Sequence, residues 1–171
     1  MTDTPEANTP ETKASSARAV KQITLLMPVW GYQFIGRFLE FCLPTLLAPN
    51  NIPAIARELP CRFVLLSSVT DEPIIRSHPA WQKLERHCAC EIRSIDDLIT
   101  QGNHTATITL AFERALRQSG DAMRDTCFIF LMSDYLVADG SLKTALHKVC
   151  LLYTSVASCC PFGGTRAAEK A

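Results

Sequence analysis

Asp134 is the residue in this chain best placed by type and position to do chemistry. It closes the run Asp125 to Leu142, DTCFIFLMSDYLVADGSL, in which the buried-type residues Cys127 to Met132 break abruptly into Ser133-Asp134-Tyr135. A carboxylate held rigidly at a strand end suits a hard divalent cation, manganese or magnesium, which takes oxygen ligands. The run itself reads as a central strand, and open α/β sheets bind ligands outside the carboxyl ends of their strands. Asn103-His104-Thr105 is the second candidate. It precedes a helix whose first backbone amides can receive phosphate oxygens, with Thr105 expected at the cap. His104 is also the one titratable partner the sequence offers if Asp134 works as a general acid or base.

Other groups of chemical interest read as structural. His87-Cys88-x-Cys90 has no second pair at zinc spacing. Asp96 and Asp97 are adjacent, so their side chains diverge and they read as a helix start. His78, before Pro79, is expected to be exposed in a helix break. No Gly-x-Gly-x-x-Gly, Walker A loop or Gly-x-Ser-x-Gly elbow is present, which argues against Rossmann dehydrogenases, P-loop enzymes and α/β-hydrolases.

The elements that must position these residues alternate along the chain. ITLLMPV is a continuous apolar run that fits a buried parallel strand, and Trp30-Gly31 turns it. From Tyr32 to Leu43 the rows Phe34/Phe38/Cys42 and Ile35/Leu39/Leu43 follow helical spacing, and Pro44 is expected to kink or restart the helix near Thr45. APNNIP reads as a loop and Ile52 to Leu59 as a short helix. CRFVLLSSV is the second strand, and Asp71-Glu72-Pro73 starts a helix that breaks at His78-Pro79. CEIRSI is the third strand. The spacing of Ile108, Ala111, Phe112, Ala115 and Leu116 predicts the clearest helix, ended by Gly120. Thr126 to Met132 is the fourth strand, and Ser141 is expected to cap a helix over Leu142 to Val149. Alternating strands and helices imply an α/β fold: an open, mostly parallel, Rossmann-like sheet with helices on both faces.

Bulk composition narrows the function. The chain has 171 residues, 17 Lys+Arg and 17 Asp+Glu. Zero net charge removes the electrostatic argument for nucleic acid. No apolar run reaches the length of a membrane span, and the first residues lack the apolar core of a signal peptide, so a cytoplasmic location is expected. There Cys42, Cys61, Cys88, Cys90, Cys127 and Cys150 read as small buried hydrophobes rather than disulfides.

Residues 1–20 lack periodicity and are read as a disordered leader. Residues 21–149 form the α/β domain. From Cys150 the character changes, and CLLYTS can be encoded by a stretch of a transposase library adapter. Residues 150–171 are therefore expected to be a non-native tail, and the domain to be truncated at its C-terminal side.

From Ile23 to Leu146 the order of elements resembles the N-terminal, nucleotide-binding half of a GT-A fold glycosyltransferase. MPVWG stands where inverting members carry a strand ending Pro-Val-Tyr-Asn. VLLSSVTDE stands at their Asp-Asp-Gly-Ser turn, and FIFLMSDYLVADGSL at their Phe-Leu-Asp-x-Asp. The resemblance implies a nucleotide-sugar donor such as a UDP-sugar, an unknown acceptor, and a divalent metal, manganese or magnesium, at Asp134. It implies a cleft lined by Pro28 and Trp30, with Trp30 stacking on the base, and with Ser67, Ser68 and Asp71 beside it. The chain departs from the family pattern at Met132, which replaces the first metal carboxylate, at Ser67 and Ser68, which replace the acids that hold uracil and ribose, and at Gly31, which replaces the Asn. The alternative is a non-catalytic nucleotide-binding or interaction domain of the same architecture.

Overall fold

A computed structural model describes residues 20–153 of the chain. The tail beyond 153 and all of the expected leader except Val20 lie outside the described residues. Four parallel strands form one sheet: β1 (Gln22–Pro28), β2 (Cys61–Ser67), β3 (Ala89–Ser94) and β4 (Thr126–Phe130), in the spatial order β3-β2-β1-β4. β1 is central. It pairs with β2 from Ile23↔Cys61 to Pro28↔Leu66, and with β4 from Gln22↔Thr126 to Leu26↔Phe130. Among the described residues β4 pairs with β1 alone, so there it is an edge strand and not the central strand its apolar run suggests. An apolar run reports burial of the two faces and says nothing about how many neighbours bond the edges.

The alternation of side chains along β1 and β2 builds two cores. Ile23, Leu25, Met27, Phe63 and Leu65 face one layer; Leu26, Val64 and Leu66 face the other. The first layer is thick. It takes α1 (Tyr32–Arg37), the wide turn Phe38–Cys42, α2 (Leu43–Leu46), α3 (Ile52–Glu58), α4 (Glu72–Ser77), α5 (Pro79–Leu84) and α7 (Ser141–Tyr153). Phe63 stacks on Phe38 and meets Trp81 edge-on at its centre. The second layer rests on α6 (His104–Gln118), whose Ala111 and Ala115 are small enough to lie directly on the sheet. The expected helices on both faces are present, with most of them on one side.

Local chemistry explains the irregularities. Pro44 has no amide to give to the carbonyl of Glu40, so the turn before it widens and the Leu43 amide bonds the Phe38 carbonyl instead. The helix resumes at Leu43, one turn's start earlier than Thr45, with Pro44 in its first turn. His78 is half-buried rather than exposed, and its Nδ1 caps α5 by accepting from the Ala80 amide at 3.2 Å. At α6 the cap is Asn103, whose side chain accepts from Ala106, and Thr105 is already inside the helix. α7 runs through the expected junction at 149/150, and Cys150 packs in the first core. Among the described residues no helix is long and apolar enough to cross a membrane.

The segment between β4 and α7 has neither helix nor strand, and side chains from the α2–α3 connection fix its course. Asn51 is fully buried. Its Nδ2 donates to the carbonyls of Thr45 (2.9 Å) and Ala138 (3.1 Å), and its Oδ1 accepts from the Leu142 amide at 3.1 Å. The first turn of α7 is thus capped from 91 residues away, a role expected of Ser141. Thr45 Oγ1 accepts from the Val137 amide, and Asp139 accepts twice from Asn50 at 2.8 Å. Replacing Asn51 by Ala leaves the buried Leu142 amide without its partner and takes one of two donors from each of the Thr45 and Ala138 carbonyls. Urea unfolding should show Asn51→Ala destabilised by about 3 kcal/mol, against under about 1 kcal/mol for Asn50→Ala at the exposed end of the same network.

Candidate functional site

The chain leaves β1, builds β2 and β3 to one side, and returns to build β4 on the other. The strand order therefore reverses between β1 and β4, and the carboxyl ends of these two strands frame a crevice. A cavity of about 100 Å³ sits there. Pro28, Val29 and Trp30 line it from the end of β1, and Met132, Ser133 and Asp134 from the end of β4. Phe34 of α1 and His104 and Ile108 of α6 close its sides.

The walls are aromatic and the rim is polar. The Trp30 and His104 rings lie 5.7 Å apart at a tilt of 34°, and Phe34 approaches the same imidazole at 6.3 Å. Phe34 belongs to the helical row of the buried Phe38 and Cys42, yet it is 44% exposed, because its position on α1 faces the cavity mouth. Asp134 is exposed at the rim, as are Tyr135 and Leu136 beyond it. Cys42, bonded weakly to the Met132 carbonyl at 3.7 Å, is pushed up to about 12 by burial first and by the charge of Asp134 second. It remains a thiol at neutral pH and offers no nucleophile to the cavity.

Of the residues singled out in the sequence, Pro28, Trp30 and Asp134 come together in this cavity, and His104 joins them. Asn103 stands next to His104, exposed, with its side chain committed to the cap of α6. The residues after β2 do not line the cavity. Ser67 is fully buried and its Oγ has no partner among the described residues. The Ser68 hydroxyl pairs with that of Thr70 at 2.9 Å. Asp71 does not cap α4 through its side chain; its carboxylate accepts from the Gly31 amide at 2.8 Å, tying the β2–α4 turn to the β1–α1 turn. Glycine suits this turn, since the φ of 84° at Gly31 would be costly for any residue with a Cβ. Asp71 thus acts on the cavity through the backbone that presents Trp30. Asp96 accepts from the Val69 amide and the Ser94 hydroxyl, bracing the ends of β2 and β3.

The donor set does not by itself make a resident cation site. Asp134 is the one carboxylate lining the cavity. Among the described residues no group of three or more His, Cys, Asp or Glu could hold a metal ion. A larger concavity of about 470 Å³ lies on the α6 side of the sheet, beside β3. Its charges are already paired, Arg93 with Glu91 and Arg114 with Asp97, and it faces the flank of the sheet rather than the strand ends. We place the candidate site at the smaller cavity for that reason. No protein-family model matches the chain, and no curated protein matches it.

The Gly31–Asp71 tie can be tested directly. Asp71→Ala should cost about 2 kcal/mol in urea unfolding. Gly31→Ala should cost about 1–3 kcal/mol from backbone strain alone, since a Cβ there meets nothing within 4 Å. In both variants the Trp30 indole NMR resonance should move, while that of Trp81, buried under the sheet, stays in place.

Proposed function

We propose that this domain binds a nucleoside diphosphate, as the donor-binding half of a GT-A-like glycosyltransferase that takes a nucleotide-sugar such as a UDP-sugar and passes the sugar to an acceptor. The observation that carries this reading is the convergence of Pro28, Trp30 and Asp134 at the point where the strand order reverses. The cavity is smaller than the roughly 300–1,000 Å³ of a pocket that encloses a whole ligand. It therefore suits one planar moiety, the base, held against Trp30 and His104. The diphosphate and sugar would extend over the rim at Asp134 and Tyr135. The first amides of α6, at His104 and Thr105, have no carbonyl one turn back to bond and favour an anion beside them. A carboxylate next to a diphosphate is repulsive unless a cation lies between. In this reading manganese or magnesium arrives with the diphosphate and takes Asp134 as its protein carboxylate, in keeping with the way such ions are held mainly by phosphates and water.

The second reading, a non-catalytic nucleotide-binding domain, is favoured by Met132, Ser67 and Ser68, which stand where the resembled family carries acids. Asp134 is then a lone rim carboxylate with no partner for chemistry.

Calorimetry with UDP and a panel of UDP-sugars, with and without manganese, tests the proposal. Binding is expected, strengthened by manganese. Trp30→Ala should weaken it about tenfold or more, from a stacking contribution of about 1–3 kcal/mol. Asp134→Ala should remove the manganese-dependent increment and leave the remainder. Absence of binding across the panel in either condition would end this reading. Binding that is indifferent to manganese and unchanged in Asp134→Ala would select the non-catalytic one.

A further inference from the structure

At the opposite end of the sheet from the cavity, three cysteines converge. Cys61 opens β2, Cys88 sits in the bend just before β3, and Cys90 lies two residues on in β3. Strand pairing aligns Phe63 with Cys90, so Cys61 and Cys88 fall level, and all three side chains pack on the same core. The Cys88 and Cys90 sulfurs are 3.9 Å apart, and Cys90 also contacts the Cys88 carbonyl at 3.4 Å. All three cysteines are half-buried, so each keeps some access to solvent. No other part of the described molecule gathers thiols in this way.

The electrostatics of the group are uneven. Cys88 is pulled down to about 4, first by the hydrogen bond from Cys61, then by that from Cys90, with a further contribution from His87. Cys61 and Cys90 are held well above the ordinary thiol range, first by their hydrogen bonds to Cys88 and then by burial, and the charge of Glu85 adds to the effect at Cys90. Contacted by both of its neighbours, Cys88 is the sulfur of the three that best carries a negative charge, with the other two thiols as donors to it. A stabilised, partly exposed thiolate beside a second thiol is the arrangement of an oxidation-sensitive cysteine with its resolving partner.

We propose that Cys88 is a peroxide-reactive cysteine and that Cys90 resolves it into a Cys88–Cys90 disulfide. The Cys88 thiolate attacks one oxygen of hydrogen peroxide and breaks the O–O bond, giving a sulfenic acid and hydroxide. The Cys90 sulfur then attacks the Cys88 sulfur and expels that oxygen as water, the Cys90 proton leaving with it. A thiolate and a thiol lose two electrons in total, and one peroxide is reduced to one hydroxide and one water. The sulfurs must close from 3.9 Å to about 2.05 Å, and the bend at Cys88, outside the strand ladder, is where the backbone can yield. The site stands apart from the proposed nucleotide cavity and does not depend on it.

Peptide-resolved mass spectrometry of the full chain after brief peroxide treatment tests this. Trypsin releases residues 87–93 as one peptide holding both Cys88 and Cys90, and residues 58–62 as another holding Cys61. The expected product is the 87–93 peptide lighter by two hydrogens and resistant to alkylation. In Cys90→Ser the sulfenic acid should persist and be trapped by dimedone on Cys88. In Cys88→Ser no oxidation of Cys90 should follow, with circular dichroism confirming that both variants fold. Without oxidant, Cys88 should alkylate at neutral pH at least tenfold faster than Cys127, whose thiol is raised by burial. Equal alkylation rates would overturn the assignment of Cys88. A cross-link between peptides 58–62 and 87–93 would overturn that of Cys90.

Discussion

The buried amide of Asn51 is the interaction on which the candidate-site side of this molecule depends. It bonds the end of α2, the segment after β4 and the start of α7 at once. The stretch from Leu131 to Gly140 carries Asp134 but has no ladder or helical turn of its own. Its backbone groups must be satisfied by something else. Asn51, with Thr45 and Asn50 beside it, supplies that satisfaction and so determines where the carboxylate stands. A side chain that touches no part of the cavity thereby sets one of its walls.

The opposite wall has an analogous support. Asp71 reaches from the end of β2 to the Gly31 amide and holds the turn that presents Trp30. The two ties differ in strength of setting. Asn51 is fully buried; Asp71 is slightly exposed. Both come from elements outside the cavity. Its shape is thus a property of how the first-layer connections lock onto the sheet, while its aromatic lining comes from Trp30 after β1, Phe34 of α1 and His104 of α6.

Much of this was legible in the sequence, for physical reasons that also mark where legibility stopped. β1 and β2 are apolar on both faces, and such runs announce a buried parallel strand directly. The start of α6 was legible to within two residues, with Thr105 expected as the cap where Asn103 serves, and the break at Pro79 follows from backbone chemistry; both are local. Pairing is not local. The apolar run of β4 is the same whether one or two neighbours bond it, so its edge position could be seen only in the sheet. Asn51 lies in APNNIP, which reads as a loop; nothing local says that its amide meets Leu142. Phe34 carried a faint signal, an aromatic one turn before two buried positions, but periodicity assigns it to the core rather than to a cavity mouth. Asp71 read as a helix cap because its neighbours suit one, while its carboxylate is used across the fold.

The pairing of β1 with β4 joins Gln22 to Thr126 across 104 residues. β1 meets β2 much sooner along the chain, and β2 meets β3 sooner still. Closing the longer loop costs more chain entropy and comes with the last of the described strands to be made. During synthesis the three-stranded portion β1–β2–β3 can gather while the crevice has only one side. The crevice therefore gains its second side only when β4 has docked, and a formed crevice is a report that the whole described domain has assembled.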